Sequence, residues 1–302
     1  MKKILIGFDG SDESRDALAL GDEFAKLEGA KLIVAVVFPF DPLPVQESTF
    51  AKAESTYFRE RFNEVKEQLG HGFEIRLNSW VSPAKALSDL AEDEGIDLIV
   101  IGSTHRGTLG RVLPGSVGGR LLHGAPCAVA VAPRGYARRE HPDLQVIGVG
   151  FDGSAESSAA LAEAKSLAQQ LGARVRVIGA YWASYPNPPF GTLGYLEIIR
   201  RDMEGHLRKA EEVLGDTVDH ELVLSEGPAA AVLADQGVEL DLLLIGSRGY
   251  GPLRRTLLGG VSTEVMRTAP CPVLVVPRGA KSTREEPLRS SGVSDVVAGG
   301  VS

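Results

Sequence analysis

Two cysteines, Cys127 and Cys271, are all that the chain of 302 residues carries. That is too few for a disulfide framework or a zinc site, and it fits a reducing cytoplasm. Long apolar runs are missing too: no stretch approaches the roughly 18 residues that a membrane span needs. Met1-Lys2-Lys3-Ile4-Leu5-Ile6-Gly7 imitates a secretory leader only until Asp9, Asp12 and Glu13 end the likeness. A positive balance is also missing. Acids outnumber bases by 40 to 32, for a formal net charge of −8, which speaks against a general nucleic-acid binder. His71, His123, His141, His206 and His220 form no ligand spacing and read as surface residues. What is present is ordinary: 43% hydrophobic and 24% charged residues describe a folded globular protein. At about 150 residues per domain, the length suggests two domains.

The chain is one unit written twice. Ile4-Leu5-Ile6-Gly7-Phe8-Asp9-Gly10-Ser11 recurs as Ile147-Gly148-Val149-Gly150-Phe151-Asp152-Gly153-Ser154. Asp97-Leu98-Ile99-Val100-Ile101-Gly102-Ser103 recurs as Asp241-Leu242-Leu243-Leu244-Ile245-Gly246-Ser247, and Ala125-Pro126-Cys127 as Ala269-Pro270-Cys271. One near-constant offset over a whole domain length means tandem duplication. The expected domains are 1–138 and 144–279, joined through the polar stretch Arg134 to Asp143. Residues 280–302 are rich in Ser and Gly and read as a disordered tail. Each unit alternates continuous apolar strands with amphipathic helices, the pattern of an α/β domain whose parallel sheet is covered on both faces. Ser11, followed by Asp12 and Glu13, reads as the N-cap of the first helix.

In an open parallel sheet, ligands bind beyond the carboxyl ends of strands where the strand order reverses. The candidate loops follow the first and fourth strands of each unit. The first loop carries acids: Asp9, Asp12 and Glu13, then Asp152 and Glu156. The fourth holds no acid and is rich in glycine. Gly102 to Gly119 has His105, Arg106 and Arg111, while Gly246 to Thr263 has Arg248, Arg254 and Arg255. Glycines let backbone N–H groups approach an anion, and the helix N-termini that follow add positive potential. A phosphate end at loop four and a polar, carboxylate end at loop one is the polarity of a nucleotide.

These residues resemble the universal stress protein family in its tandem form. Its signature is Gly, two residues, Gly, nine residues, then Gly and Ser or Thr. Gly246, Gly249, Gly259, Gly260, Val261 and Ser262 carry it in the second copy, with Gly260 where Ser or Thr is usual. Gly102, Gly115, Ser116 and Val117 carry it in the first, with His105 in place of the second glycine. The resemblance implies a Rossmann-like fold: two tandem open five-stranded parallel sheets of order 3-2-1-4-5, helices on both faces. It implies ATP, with Asp9, Val37 and Ile101 at the first site and Asp152, Ala180, Ile245 and Arg248 at the second. Ala180 replaces a usual Val, so the second adenine wall is expected to be looser. Asp9 and Asp152 are candidates to hold Mg²⁺ beside the nucleotide, or to cap the following helix. The resemblance also implies a role in stress adaptation and pairing through the edges of the final strands, Ala128 to Ala132 and Pro272 to Val276: the two copies pair within one chain, and the chain is expected to form a homodimer.

Other motifs are discounted. Gly148-Val149-Gly150-Phe151-Asp152-Gly153 spells a dinucleotide fingerprint, but Asp152 sits inside the supposed pyrophosphate loop and the first copy has Leu5 at the place of Gly148. Cys127 and Cys271 precede apolar strands and read as buried structural residues. No catalytic residue is assigned. Three readings stay open: a cytoplasmic ATP-binding sensor or regulator, a slow ATPase or other nucleotide-processing enzyme, and a scaffold with vestigial sites.

Overall fold

The structure, a computed structural model, describes residues 1–39, 47–70, 72–80, 82–104, 109–139, 144–183, 191–247 and 260–277; within 37–39, 47–54, 78–80, 123 and 191–192 it describes backbone alone. The first copy runs β1 (Lys3–Phe8), α1 (Asp12–Glu28), β2 (Lys31–Pro39), α2 (Glu47–Leu69), β3 (Phe73–Trp80), α3 (Pro83–Glu94), β4 (Leu98–Gly102), α4 (Ser116–Gly124), β5 (Ala128–Ala132). The second repeats it as β6 (Val146–Gly150), α5 (Ala155–Leu171), β7 (Arg174–Tyr181), α6 (Gly191–Leu214), β8 (His220–Glu226), α7 (Ala229–Gln236), β9 (Leu242–Gly246), α8 (Gly260–Thr268), β10 (Val273–Val276).

The ten strands form one sheet in the order β3-β2-β1-β4-β5-β10-β9-β6-β7-β8. Each half therefore has the expected order 3-2-1-4-5. Within a half every pairing is parallel; across the middle β5 and β10 pair antiparallel, with Leu274 opposite Ala130. Successive strand residues face opposite sides, so Ile4, Ile6 and Phe8 join one core and Leu5 the other. On the first face, Leu18 and Phe24 of α1 and Val65 of α2 pack with Leu161 of α5 and Leu207 of α6. On the second, Leu87 of α3 and Leu122 of α4 pack with Leu233 of α7 and Val265 of α8. Both cores run through the seam, and all five residues of β5 are buried. The expected pairing of the two copies within one chain through their final strands is present. Each copy has one such edge, and within this chain the two edges satisfy each other.

Duplicated polar contacts fix the register. Asp97 accepts from the amides of Lys2 (2.6 Å) and Lys3 (3.0 Å), and Asp241 from those of Gln145 and Val146 (2.8 Å each). These bonds anchor the start of β4 to β1 and of β9 to β6. The seam has its own contacts. The Val112 amide donates to the Ala269 carbonyl (2.8 Å), and Arg111 Nη1 to the Thr268 carbonyl (2.6 Å) at the C-terminus of α8.

Candidate functional site

The carboxyl ends of β1 and β4 lie side by side, with Leu5 opposite Ile99 and Ile6 opposite Val100; β6 and β9 repeat this with Val149 opposite Leu244. The chain leaves the two strands toward opposite faces, α1 toward one and α4 toward the other, so a cleft opens between them.

Local chemistry shapes each wall. Ser11 caps α1, its Oγ accepting from the Ser14 amide at 3.1 Å, and Ser154 caps α5 through the Ser157 amide at 3.2 Å. Asp9 does not cap the helix directly. Its Oδ1 accepts from the amide (3.0 Å) and hydroxyl (2.6 Å) of Ser11, and so holds the residue that caps. Asp152 Oδ1 does the same through the Ser154 amide at 3.1 Å. From α2, Arg61 Nη1 donates to the Asp9 carbonyl at 3.1 Å, with its guanidinium over the Tyr57 ring. Burial there pushes the Tyr57 hydroxyl above its ordinary range, against the pull of Arg61.

The two loops meet closely. A Cβ on Gly102 would stand 1.9 Å from the Glu13 carbonyl oxygen, and one on Gly246 would stand 2.4 Å from the Glu156 carbonyl carbon. Glycine is required at both positions so that the first helical turn can rest on the end of the fourth strand. Gly115 and Gly260 are different. A Cβ on Gly115 would meet only Thr104, at 3.5 Å, and one on Gly260 would meet nothing within 4 Å. Packing among the described residues demands neither glycine, and both stand at the N-terminus of a helix beside a cleft.

The first cleft has a volume of about 350 Å³. Asp9, Ile101, Gly102, Gly115, Ser116 and Val117 all line it, as the sequence suggested. The second, of about 240 Å³, is lined by Asp152, Ala180, Ile245, Gly246, Val261 and Ser262. Gly260 opens α8, one residue before the lining Val261. The backbone of Val37 pairs with Asn78 in the sheet. The side chain of Val37, and all of His105, Arg106, Arg248, Gly249, Arg254, Arg255 and Gly259, lie outside the described residues. Two of the loop charges read from the sequence face elsewhere. Arg111 is spent at the seam, and Asp12 pairs with Arg138 at 2.7 Å instead of lining the cleft. Glu13 does line it, with Arg134 at 3.7 Å.

Sequence reasoning missed several lining residues: Phe8, Pro83 and Leu87 in the first cleft, and Phe151, Ile178, Ala229, Leu233 and Met203 in the second. The first residues of α3 and α7 carried a signal in Pro83 and Leu87, which recur in place as Ala229 and Leu233. A Cβ on Gly179 would lie 3.0 Å from Met203 Cγ and 3.2 Å from its Sδ. The methionine of α6 thus occupies the space left by Gly179, on the face of β7 opposite Ala180, and adds an apolar group to the cleft lining.

Each cleft therefore offers an apolar floor, a carboxylate at one rim and a helix N-terminus at the other. Burial pushes both thiols up to about 12, Cys127 against the near carboxylate of Asp97 and Cys271 in the core, and neither lines a cleft. Among the described residues no group of three His, Cys, Asp or Glu side chains is placed to hold a metal ion. No helix among them is long and apolar enough to cross a membrane.

The sequence model described as the "Universal stress protein family" matches residues 1–133 and again 144–277. A universal stress protein of Mycobacterium tuberculosis is 29% identical over 289 residues, covering 90% of this chain and 96% of its own. A universal stress protein of Thermus aquaticus is 35% identical over 143 residues, covering 44% of this chain and 98% of its own, so it has the length of one copy. Among solved structures, a universal stress protein from Archaeoglobus fulgidus superposes with a TM-score of 0.70 at 22% identity, over 92% of this chain and 98% of that one.

Proposed function

The chain belongs to the universal stress protein family, and from that premise we propose that each copy binds an adenine nucleotide, with ATP as the expected ligand. The protein then acts as a cytoplasmic, nucleotide-dependent sensor or regulator in stress adaptation, through domains spanning 1–138 and 144–279. The carrying observation is Gly115, which packing among the described residues does not require to be glycine and which recurs in the sequence as Gly259. Glycine at the start of a helix, with room for a side chain beside it, suits a ligand that must come close to backbone N–H groups. Phosphate is that ligand, because helix N-termini combine unpaired amides with positive potential. The base lies on the apolar floor, over Leu87 and Ile101 in one copy and Ile178, Leu233 and Ile245 in the other.

Two serines beside the clefts are committed to shaping them. Ser103 Oγ donates to the Ala132 carbonyl at 2.8 Å and accepts from the Leu113 amide at 3.1 Å, and Ser262 Oγ donates to the Gly246 carbonyl at 3.1 Å. This supports binding as the role of the sites. The test is calorimetry of the purified protein, stripped of small molecules, against ATP, ADP, AMP and cyclic AMP. The reading expects saturable binding with ATP preferred over AMP, because the phosphates contribute contacts at the helix N-termini. Absence of binding to all four would sink it and favour a scaffold with vestigial sites.

A further inference from the structure

Among the described lining residues, only the second cleft has a thioether in its wall. We infer that Met203 is a peroxide-oxidisable residue of the second cleft, and that its conversion to the sulfoxide closes that cleft to its ligand while leaving the first cleft open. The inference rests on the proposed nucleotide reading and adds a modification site to it.

The chain has three methionines, and the other two are shielded. Met266 is 1% exposed inside the second core, and the Met1 side chain is 6% exposed beneath its ion pair with Glu28. Met203 is only partly buried and lines an open cleft beside Ile178 and Ala180. Peroxide dissolved in water reaches it by the route a ligand would take. In the reaction the sulfur gives two electrons, the O–O bond of hydrogen peroxide breaks, and an S–O bond forms as the second oxygen leaves as water. The flexible apolar side chain becomes a polar one. Its surroundings are poorly suited to that product. Sδ stands 3.2 Å from the position a Gly179 Cβ would take, and Phe151, Leu233 and Ile245 line the same apolar floor. A sulfoxide oxygen there either lies against these groups unsatisfied or swings into the space the ligand needs. The two buried, high-pKa thiols are slow to compete for peroxide, because the thiolate is the reactive form.

The experiment uses the full chain carrying Gly115→Glu, which confines nucleotide binding to the second cleft. ATP affinity is measured before and after mild hydrogen peroxide, with peptide mass spectrometry locating the added oxygen. The same is done with Met203→Leu added, each protein being compared with its own untreated sample. The inference expects oxygen on Met203 ahead of Met266, slower oxidation when ATP is present, and at least tenfold weaker binding after treatment. It expects no change on treatment of the Met203→Leu protein. Oxidation of Met203 with unchanged affinity overturns it, and so does oxidation of Met266 at the same rate. An equal loss in the Met203→Leu protein assigns the effect to another residue and overturns it too. If the untreated protein does not bind ATP, the nucleotide reading itself falls, and this inference with it.

Discussion

Asp16 shows how one side chain can tie a linker to a domain. It sits on α1, is 3% exposed, and accepts from the amides of Gly135 (2.7 Å) and Ala137 (2.8 Å) in the turn after β5. Burial raises its carboxyl above the ordinary 3.8, and the two amide bonds pull it partly back. Neighbouring contacts follow the same path, with Tyr136 donating to Glu23 at 2.6 Å. A carboxyl raised in the folded state holds its proton more tightly there than in the unfolded chain. Its contribution to stability is therefore largest at and below its ordinary value and declines as pH rises through the folded value. Asp16→Asn leaves one of the two amides facing an NH₂ group, a loss of about 1–3 kcal/mol. In urea melts between about pH 4 and pH 7, the gap between wild type and Asp16→Asn narrows as pH rises. A gap that widens contradicts the raised carboxyl. The second copy has Ala159 at the corresponding place in α5, so this latch belongs to the first copy alone among the described residues.

At the scale of elements, the glycines at strand ends divide into two kinds. Gly102 is required by the close approach of α1, whereas Gly115 is not. Gly102→Ala must push the first turn of α1 off β4 and is expected to cost about 1–3 kcal/mol, as overpacking does. Gly115→Ala is expected to change stability by less than about 0.5 kcal/mol, the range of substitutions that disturb no special feature. Chemical denaturation of both variants checks the contrast, and equal losses contradict the division. The strands and caps were legible because they depend on local pattern. Runs such as Leu98-Ile99-Val100-Ile101 can only be buried strands, and Ser11 before Asp12 and Glu13 can begin a helix. Met203 was not legible as a wall residue. Its position follows from how α6 packs over Gly179, and no spacing along the chain records that contact. The spelled dinucleotide motif, discounted from the sequence, owes its first glycine to packing of the same kind. Gly148 is small because Leu240 fills its place, a Cβ there falling 2.2 Å from the leucine Cδ1.

Over the whole molecule, duplication explains both what could be read and what could not. Repetition of Asp9, Gly102 and Gly115 as Asp152, Gly246 and Gly259 made the paired sites visible before any coordinates. It also exposed two equivalent sheet edges. Their pairing with each other, expected from those edges, joins the copies into one ten-stranded sheet, with the antiparallel sense given by the fold. Arg111 illustrates the limit. Read from the sequence, it is a cation in a glycine-rich loop; in the fold it donates to the last turn of α8, where a helix C-terminus favours positive charge.

In the proposed function, one chain carries two nucleotide sites with phosphates at the starts of α4 and α8. Native mass spectrometry counts them directly. The unmodified chain should retain two ATP molecules, Gly115→Glu and Gly259→Glu one each, and the double variant none. A glutamate at a helix N-terminus is favourable in itself, so lost binding is not lost folding. Two ATP molecules on every variant would contradict the claim, as would failure of the unmodified chain to retain any.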